Sequence, residues 1–303
     1  MNSEQIQALS RALIFLGLLF VCSVAASVLA GFVSPLFFSE AVGISPNGAL
    51  PSSESDWWQL HFQNLISQAL GFGGAVLVAA ALWNRSVPEG LVPSRKALAP
   101  WGLLIVVLAT FCSSPLMALI YEWNVMAIPE GSALEAALKP IEEMLEEVTS
   151  FLVTADGPRR IIVILSVALV PAVFEELAFR GALQPLLIKA TGKAWIGIAI
   201  ASVIFSAIHF QFYGFLPRMF LGALFGWFAY RSGSLLPGML AHFVNNAGAA
   251  VTLWYTGSMT EDLFEIETWT TVLSVALTAA TLLAYHRFIT PGVNSQGQTT
   301  TAG

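Results

Sequence analysis

Eight stretches of this chain are long and apolar enough to cross a lipid bilayer, a task that takes roughly 17 residues or more. They run over approximately 12–33, 61–83, 99–121, 161–189, 195–213, 215–231, 235–256 and 269–288. Hydrocarbon offers backbone groups no water, so spans of this kind fold as helices. Composition agrees: 56% of the 303 residues are hydrophobic and 11% are charged, against about 25% charged in an ordinary soluble domain. The expected fold is all-α, a polytopic membrane bundle of about eight transmembrane helices. Trp57, Trp58, Trp83, Trp101, Trp123, Trp195, Trp254 and Trp269 lie at or near the ends of these stretches, where interfacial aromatics belong.

Lys/Arg bias sets the expected orientation. With the N-terminus inside, the inner segments carry Arg11, Arg85, Arg95, Lys96, Lys189, Lys193, Arg231 and Arg287. The outer segments carry Lys139, Arg159, Arg160 and Arg218, together with most of the acidic residues. Both termini are therefore expected in the cytoplasm. The short loops point to a bacterial cytoplasmic membrane, with an endoplasmic-reticulum membrane as the alternative. The net charge of −6 argues against a nucleic-acid partner. The first apolar stretch exceeds the 7–15 residues of a signal-peptide core and is expected to be retained as a helix. Cys22 and Cys112 fall in different spans and suggest no disulfide.

Four regions are expected. Residues 1–130 form a transmembrane scaffold. Residues 131–157 hold an amphipathic surface helix, with Ser132 and Glu135 spaced as a capping box and Leu134, Leu138, Ile141, Leu145, Val148 and Leu152 on its apolar face. Residues 158–290 form the functional bundle. Residues 291–303, polar and rich in Gly and Thr, are expected to be disordered.

Charge inside an apolar span is costly and marks function by default. The stretch "VFEELAFRGAL", 173–183, carries three charges. Glu176 and Arg180 are four apart and share a helix face, so they are expected to pair. Glu175 points about 100° away and is left for another task. "FSAIH" places Phe205 and His209 at the same spacing, and "HFVNN" does so for His242 and Asn246. Counting from the inner ends at 1.5 Å per residue brings Glu175, His209 and Asn246 to a depth of roughly 21 Å, with His242 one turn nearer the cytoplasm. A Glu in a low-dielectric site suits general-base chemistry. Histidines and an Asn amide beside it suit orientation of a water and stabilisation of an oxyanion. No Ser–His or Cys–His pairing and no HExxH pattern occurs. Gln184, Gln211 and Tyr213 lie near these residues and are candidates for substrate contact. Buried Glu and His also occur in proton-coupled transporters, and a non-catalytic immunity or scaffold protein is a further alternative. No inverted repeat supports transport.

"EELAFR", "FSAIH" and "HFVNN" resemble, in order, the three motifs of the CPBP family of intramembrane CAAX-processing and bacteriocin-processing proteases. Those motifs are EExxxR, FxxxH and Hxxx followed by Asn or a similar residue. The resemblance covers about the second half of the chain, and no motif position departs from the pattern. It implies an all-helical fold of about eight spans and a glutamic-type intramembrane endopeptidase without a cofactor. It further implies that Glu175 activates water with help from His209, and that His242 and Asn246 form the oxyanion site. Glu176, Arg180 and Phe205 would support them. Three ligands from Glu175, His209 and His242 would also suit a zinc ion. The implied substrate is a membrane-bound protein or a peptide, prenylated or not, and the bilayer is the second partner. Oligomeric state is left open.

Overall fold

The computed structural model describes residues 1–38, 51–83, 98–257 and 268–289. The tail 291–303, and the loop charges Glu40, Arg85, Arg95, Lys96 and Glu261 to Glu267, lie outside the described residues. Among the described residues every regular element is helical. In chain order these are α1 (Ser3–Val33), α2 (Glu54–Trp83), α3 (Pro100–Met126), α4 (Ala133–Val153), α5 (Arg159–Thr191), α6 (Ala194–Ala207), α7 (Phe215–Ser232), α8 (Leu235–Thr256) and α9 (Thr268–Phe288).

Helix starts follow from their caps. Asn2 and Gln5 form a reciprocal capping box at α1, with both bonds at 2.9 Å. At α4, Ser132 Oγ accepts from Glu135 N at 3.1 Å, as its spacing predicts. The Glu135 carboxylate reaches past the cap and accepts from Gly131 N at 2.6 Å instead. In α3 the helix breaks at Ser113, where Pro115 cannot donate a backbone bond. Ser274 of α9 bridges the break, accepting from Leu116 N at 3.1 Å and donating to Cys112 O at 2.5 Å.

Five helices meet the length and hydropathy of a span: Ser3–Leu36, Glu54–Trp83, Pro100–Met126, Arg159–Thr191 and Trp269–Phe288. Of the eight expected stretches, α6 is apolar but short. Helices α7 and α8 carry Arg218, Arg231, His242, Asn245 and Asn246, which lower their hydropathy. The expected fifth span, 195–213, is also interrupted. Its helix ends at Ala207, and a turn carries His209.

The helix ends gather on two faces. Arg11 lies over the Trp83 ring at 5.6 Å, Lys189 pairs with Glu4 at 3.8 Å, and Arg231 donates to His286 O at 2.5 Å. Those ends are the ones the Lys/Arg bias puts together inside. On the other face Trp57 Nε1 donates to Leu152 O at 3.1 Å, Trp254 Nε1 donates to Val153 O at 2.8 Å, and Arg159 pairs with Glu54. Helix α4 therefore docks at the ends of α2, α5 and α8.

Three apolar clusters fill the interior. Phe15, Phe179, Leu183 and Phe205 join α1, α5 and α6. Phe225, Phe228 and Tyr285 join α7 and α9, with Val106 of α3. Trp57, Val153, Val163 and Leu253 close the α4 end. Large apolar side chains such as Phe20, Leu77 and Leu283 point outward, as a lipid-facing surface requires.

Candidate active site

Glu175 and Glu176 sit midway along α5. Short π-helical segments flank them, Ile164–Leu169 before and Leu177–Leu183 after. Such wider turns recur at functional sites. Pro171 supplies no N–H for the Val167 carbonyl four residues earlier. Asn246 Nδ2 from α8 donates to that carbonyl at 3.2 Å. Asn246 Oδ1 accepts from Asn245 Nδ2, also at 3.2 Å.

The expected ion pair forms. Arg180 Nη1 donates to Glu176 Oε1 at 2.7 Å, with both residues buried. Arg180 Nη2 donates to Gly222 O at 2.8 Å. The guanidinium lies 4.6 Å from the Phe205 ring centre, 5.7 Å from Phe225 and 5.8 Å from Phe179. Such aromatic faces favour a cation removed from water. One turn on, Gln184 Nε2 donates to Gly226 O at 3.0 Å. Gly222 and Gly226 form a small-residue stripe that lets α7 approach closely. A Cβ on Gly222 would stand 3.2 Å from the Ser202 and Phe205 side chains.

His242 meets both carboxylates. Its Nδ1 lies 3.1 Å from Glu176 Oε1 and its Nε2 3.9 Å from Glu175 Oε2. A carboxylate only accepts, so Nδ1 carries a hydrogen. The ring stacks on Phe225 at 5.1 Å and 18°. His209 lies in the turn that ends α6. Its Nδ1 bonds Phe205 O at 2.7 Å, which satisfies a carbonyl the helix end leaves open. Its Nε2 is then the lone-pair nitrogen. The Phe205 ring stands between the two imidazoles, 5.1 Å from His209 and 5.9 Å from His242.

The turn that holds His209 is strained and heavily pinned. Phe210, the next residue, has φ of 56°, a conformation costly for a bulky side chain. Asn124 of α3 donates to Phe212 O and accepts from Leu216 N, both at 2.7 Å. Glu142 of α4 accepts from Tyr213 N at 3.2 Å. Arg218 donates to Gln211 Oε1 at 2.9 Å and to Gln211 O at 3.1 Å. Gln184 Nε2 and Gln211 Oε1 thus bond within the protein, while Gln184 Oε1 is buried without a partner there.

One site contact has no counterpart in the sequence motifs. Gln68 lies in a π-helical segment of α2, Ser67–Gly73, and donates from Nε2 to Glu175 Oε1 at 2.8 Å. Residues 1–130 therefore reach Glu175. A lone Gln in an apolar stretch has no spacing partner to reveal it. As for zinc, among the described residues no group of three His, Cys, Asp or Glu is placed to hold a metal ion. The ligand set Glu175, His209 and His242 does not converge as a metal site requires.

Residues 157–248 match the family described as Type II CAAX prenyl endopeptidase Rce1-like. No curated protein and no solved structure matches the chain. The matched segment contains Glu175, Glu176, Arg180, Phe205, His209, His242 and Asn246 together, and the residues that surround them on α5 to α8. Over residues 157–248 the chain is therefore similar to the Rce1-like CAAX prenyl endopeptidases, and every motif residue lies inside that segment.

Proposed function

We propose that this protein is an intramembrane endopeptidase in which Glu175 is the general base. The observation that carries this reading is the buried Glu175 carboxylate beside His242 in a family whose description is an endopeptidase. Oε2 of Glu175 and Nε2 of His242, at 3.9 Å, are too far apart to bond directly. A single oxygen atom between them can bond to both.

In the proposed reaction, Glu175 takes a proton from water as the water oxygen bonds to the scissile carbonyl carbon. His209, with Nδ1 held on Phe205 O, offers its Nε2 lone pair to the other water hydrogen. The developing oxyanion receives hydrogen bonds from protonated His242 Nε2 and from the second Asn246 amide hydrogen. The C–N bond then breaks, and Glu175 returns the proton to the leaving nitrogen. Glu176 holds His242 Nδ1, and Arg180 holds Glu176. No covalent enzyme intermediate forms and no metal takes part. Residues 1–130 act as scaffold, 131–157 as a surface helix and 158–290 as the catalytic bundle, with the tail 291–303 outside it. Both termini are assigned to the cytoplasm of a bacterial cell.

The family description makes a prenylated carboxyl-terminal segment the first substrate to try, ahead of unmodified membrane peptides. The test uses purified protein in detergent with a quenched-fluorescent library of both kinds. Wild type, Glu175→Ala and His209→Ala are compared with and without chelator. Cleavage lost in both variants and unchanged by chelator is the expected result. Cleavage removed by chelator and restored by zinc would contradict the metal-free mechanism. Equal cleavage by Glu175→Ala and wild type would contradict Glu175 as base.

A further inference from the structure

Gln68 makes the contact to Glu175 described above, yet it lies on α2, about 90 residues before the family segment. It is buried, at 8% exposure. A carboxylate accepts and does not donate, so the amide nitrogen must be the group that faces Glu175. The Gln68 carbonyl oxygen, Oε1, is thereby turned away, and it is buried with no hydrogen-bond partner in the protein. A buried acceptor left unmatched is destabilising unless a donor from water or ligand reaches it. Helices α2 and α5 approach closely here. A Cβ on Gly73 would stand 2.9 Å from the ring of Phe174, the residue before Glu175. The π-helical segment Ser67–Gly73 widens the turn at this approach.

We infer that Gln68 is a positioning residue of the proposed endopeptidase, holding Glu175 with its amide nitrogen. This rests on the reading of Glu175 as base. The Nε2 bond occupies Glu175 Oε1, so Oε2, the oxygen nearer His242, takes the proton. Gln68 neither gains nor loses a proton in the cycle. It restricts the base to one rotamer, an interaction felt in the chemical step more than in substrate binding.

The experiment measures kcat and KM separately on a membrane peptide that the wild type cleaves, with thermal unfolding of each variant in the same detergent. Gln68→Met keeps the length of the side chain and removes both polar atoms. The expected result is a fall in kcat of about 10- to 100-fold, the order lost with a hydrogen bond to a charged group. KM should stay within about twofold and the unfolding midpoint within a few degrees. Gln68→Glu is the second variant and keeps shape and polarity. It sets two carboxyl groups side by side, which favours one shared proton. His242, Glu176, Arg180, His209 and Arg218 also act on this pair. Its cleavage should recover relative to wild type as pH falls, because a protonated carboxyl can again donate to Glu175.

A wild-type kcat in Gln68→Met beside an inactive Glu175→Ala would overturn the role of Gln68 and leave the endopeptidase reading standing. Cleavage by Glu175→Ala would overturn both. Loss of activity in Gln68→Met that only tracks loss of folded protein, with no acid recovery in Gln68→Glu, would reduce Gln68 to a packing contact and overturn the proposal.

Discussion

Arg180 shows how much a single side chain can hold. Its guanidinium ties Glu176 on its own helix to the Gly222 carbonyl of α7, inside a ring of three phenylalanines. Removing one partner of a buried pair strands the other charge, which costs about 3–5 kcal/mol. Arg180→Met should lower the unfolding midpoint strongly, as thermal unfolding in detergent would show. Glu176→Gln should cost less, because a neutral amide still accepts from Arg180. The Glu176–Arg180 pair was legible from four-residue spacing. Gln68 was not, because its partner lies on another helix and no local pattern marks it. The spacing of Phe205 and His209 was also legible, but not that His209 caps the end of α6. That depends on the left-handed Phe210 and on the anchoring of the turn by Asn124 and Glu142.

At the scale of elements, close approach is set by glycines. A Cβ on Gly197 of α6 would stand 2.6 Å from the Ile188 backbone nitrogen of α5, an atom that cannot swing aside. Gly197→Ala is predicted to destabilise by about 1–3 kcal/mol, the usual cost of overpacking. Gly248→Ala is the control on α8, where a Cβ meets nothing within 4 Å. It should be neutral or slightly stabilising, since Ala is the better helix former. Both are read as shifts in unfolding midpoint against wild type.

Helix α4 touches the His209 turn through Glu142, and that contact should respond to pH. Burial raises the Glu142 carboxyl above its ordinary 4.5, outweighing the Tyr213 N–H and the Arg218 charge that favour ionisation. The folded protein therefore holds this proton more tightly than the unfolded chain does. Its contribution to stability is present below 4.5 and is lost as pH rises through the raised value. Wild type should lose stability relative to Glu142→Gln as pH climbs above 4.5. A constant difference between the two midpoints across that window would contradict the assignment. The amphipathic period of α4 was readable in sequence, as was its Ser132 cap. Its docking on the Trp57, Trp254 and Glu142 contacts depends on tertiary geometry that no periodicity carries.

For the whole molecule, two sets of contacts sort the helix ends onto opposite faces, and they match the division that Lys/Arg bias suggests. Five of the eight expected spans are found as long apolar helices, and these were readable because hydrocarbon demands them. The polar content of α7 and α8 blurs that signal, since those helices line the site. The proposed cytoplasmic placement of both termini predicts that reporters fused at either end are active inside the cell and silent outside. An external reporter signal at one end would contradict that placement. The central claim concerns Glu175, and single-turnover cleavage by Glu175→Gln tests it most directly. This variant keeps the shape and an acceptor oxygen for Gln68, and replaces the basic oxygen by an amide nitrogen. A drop of about 10²–10⁴ in rate is expected, the range supplied by general-base catalysis, at an unfolding midpoint close to wild type. A rate within a few-fold of wild type would contradict Glu175 as the base.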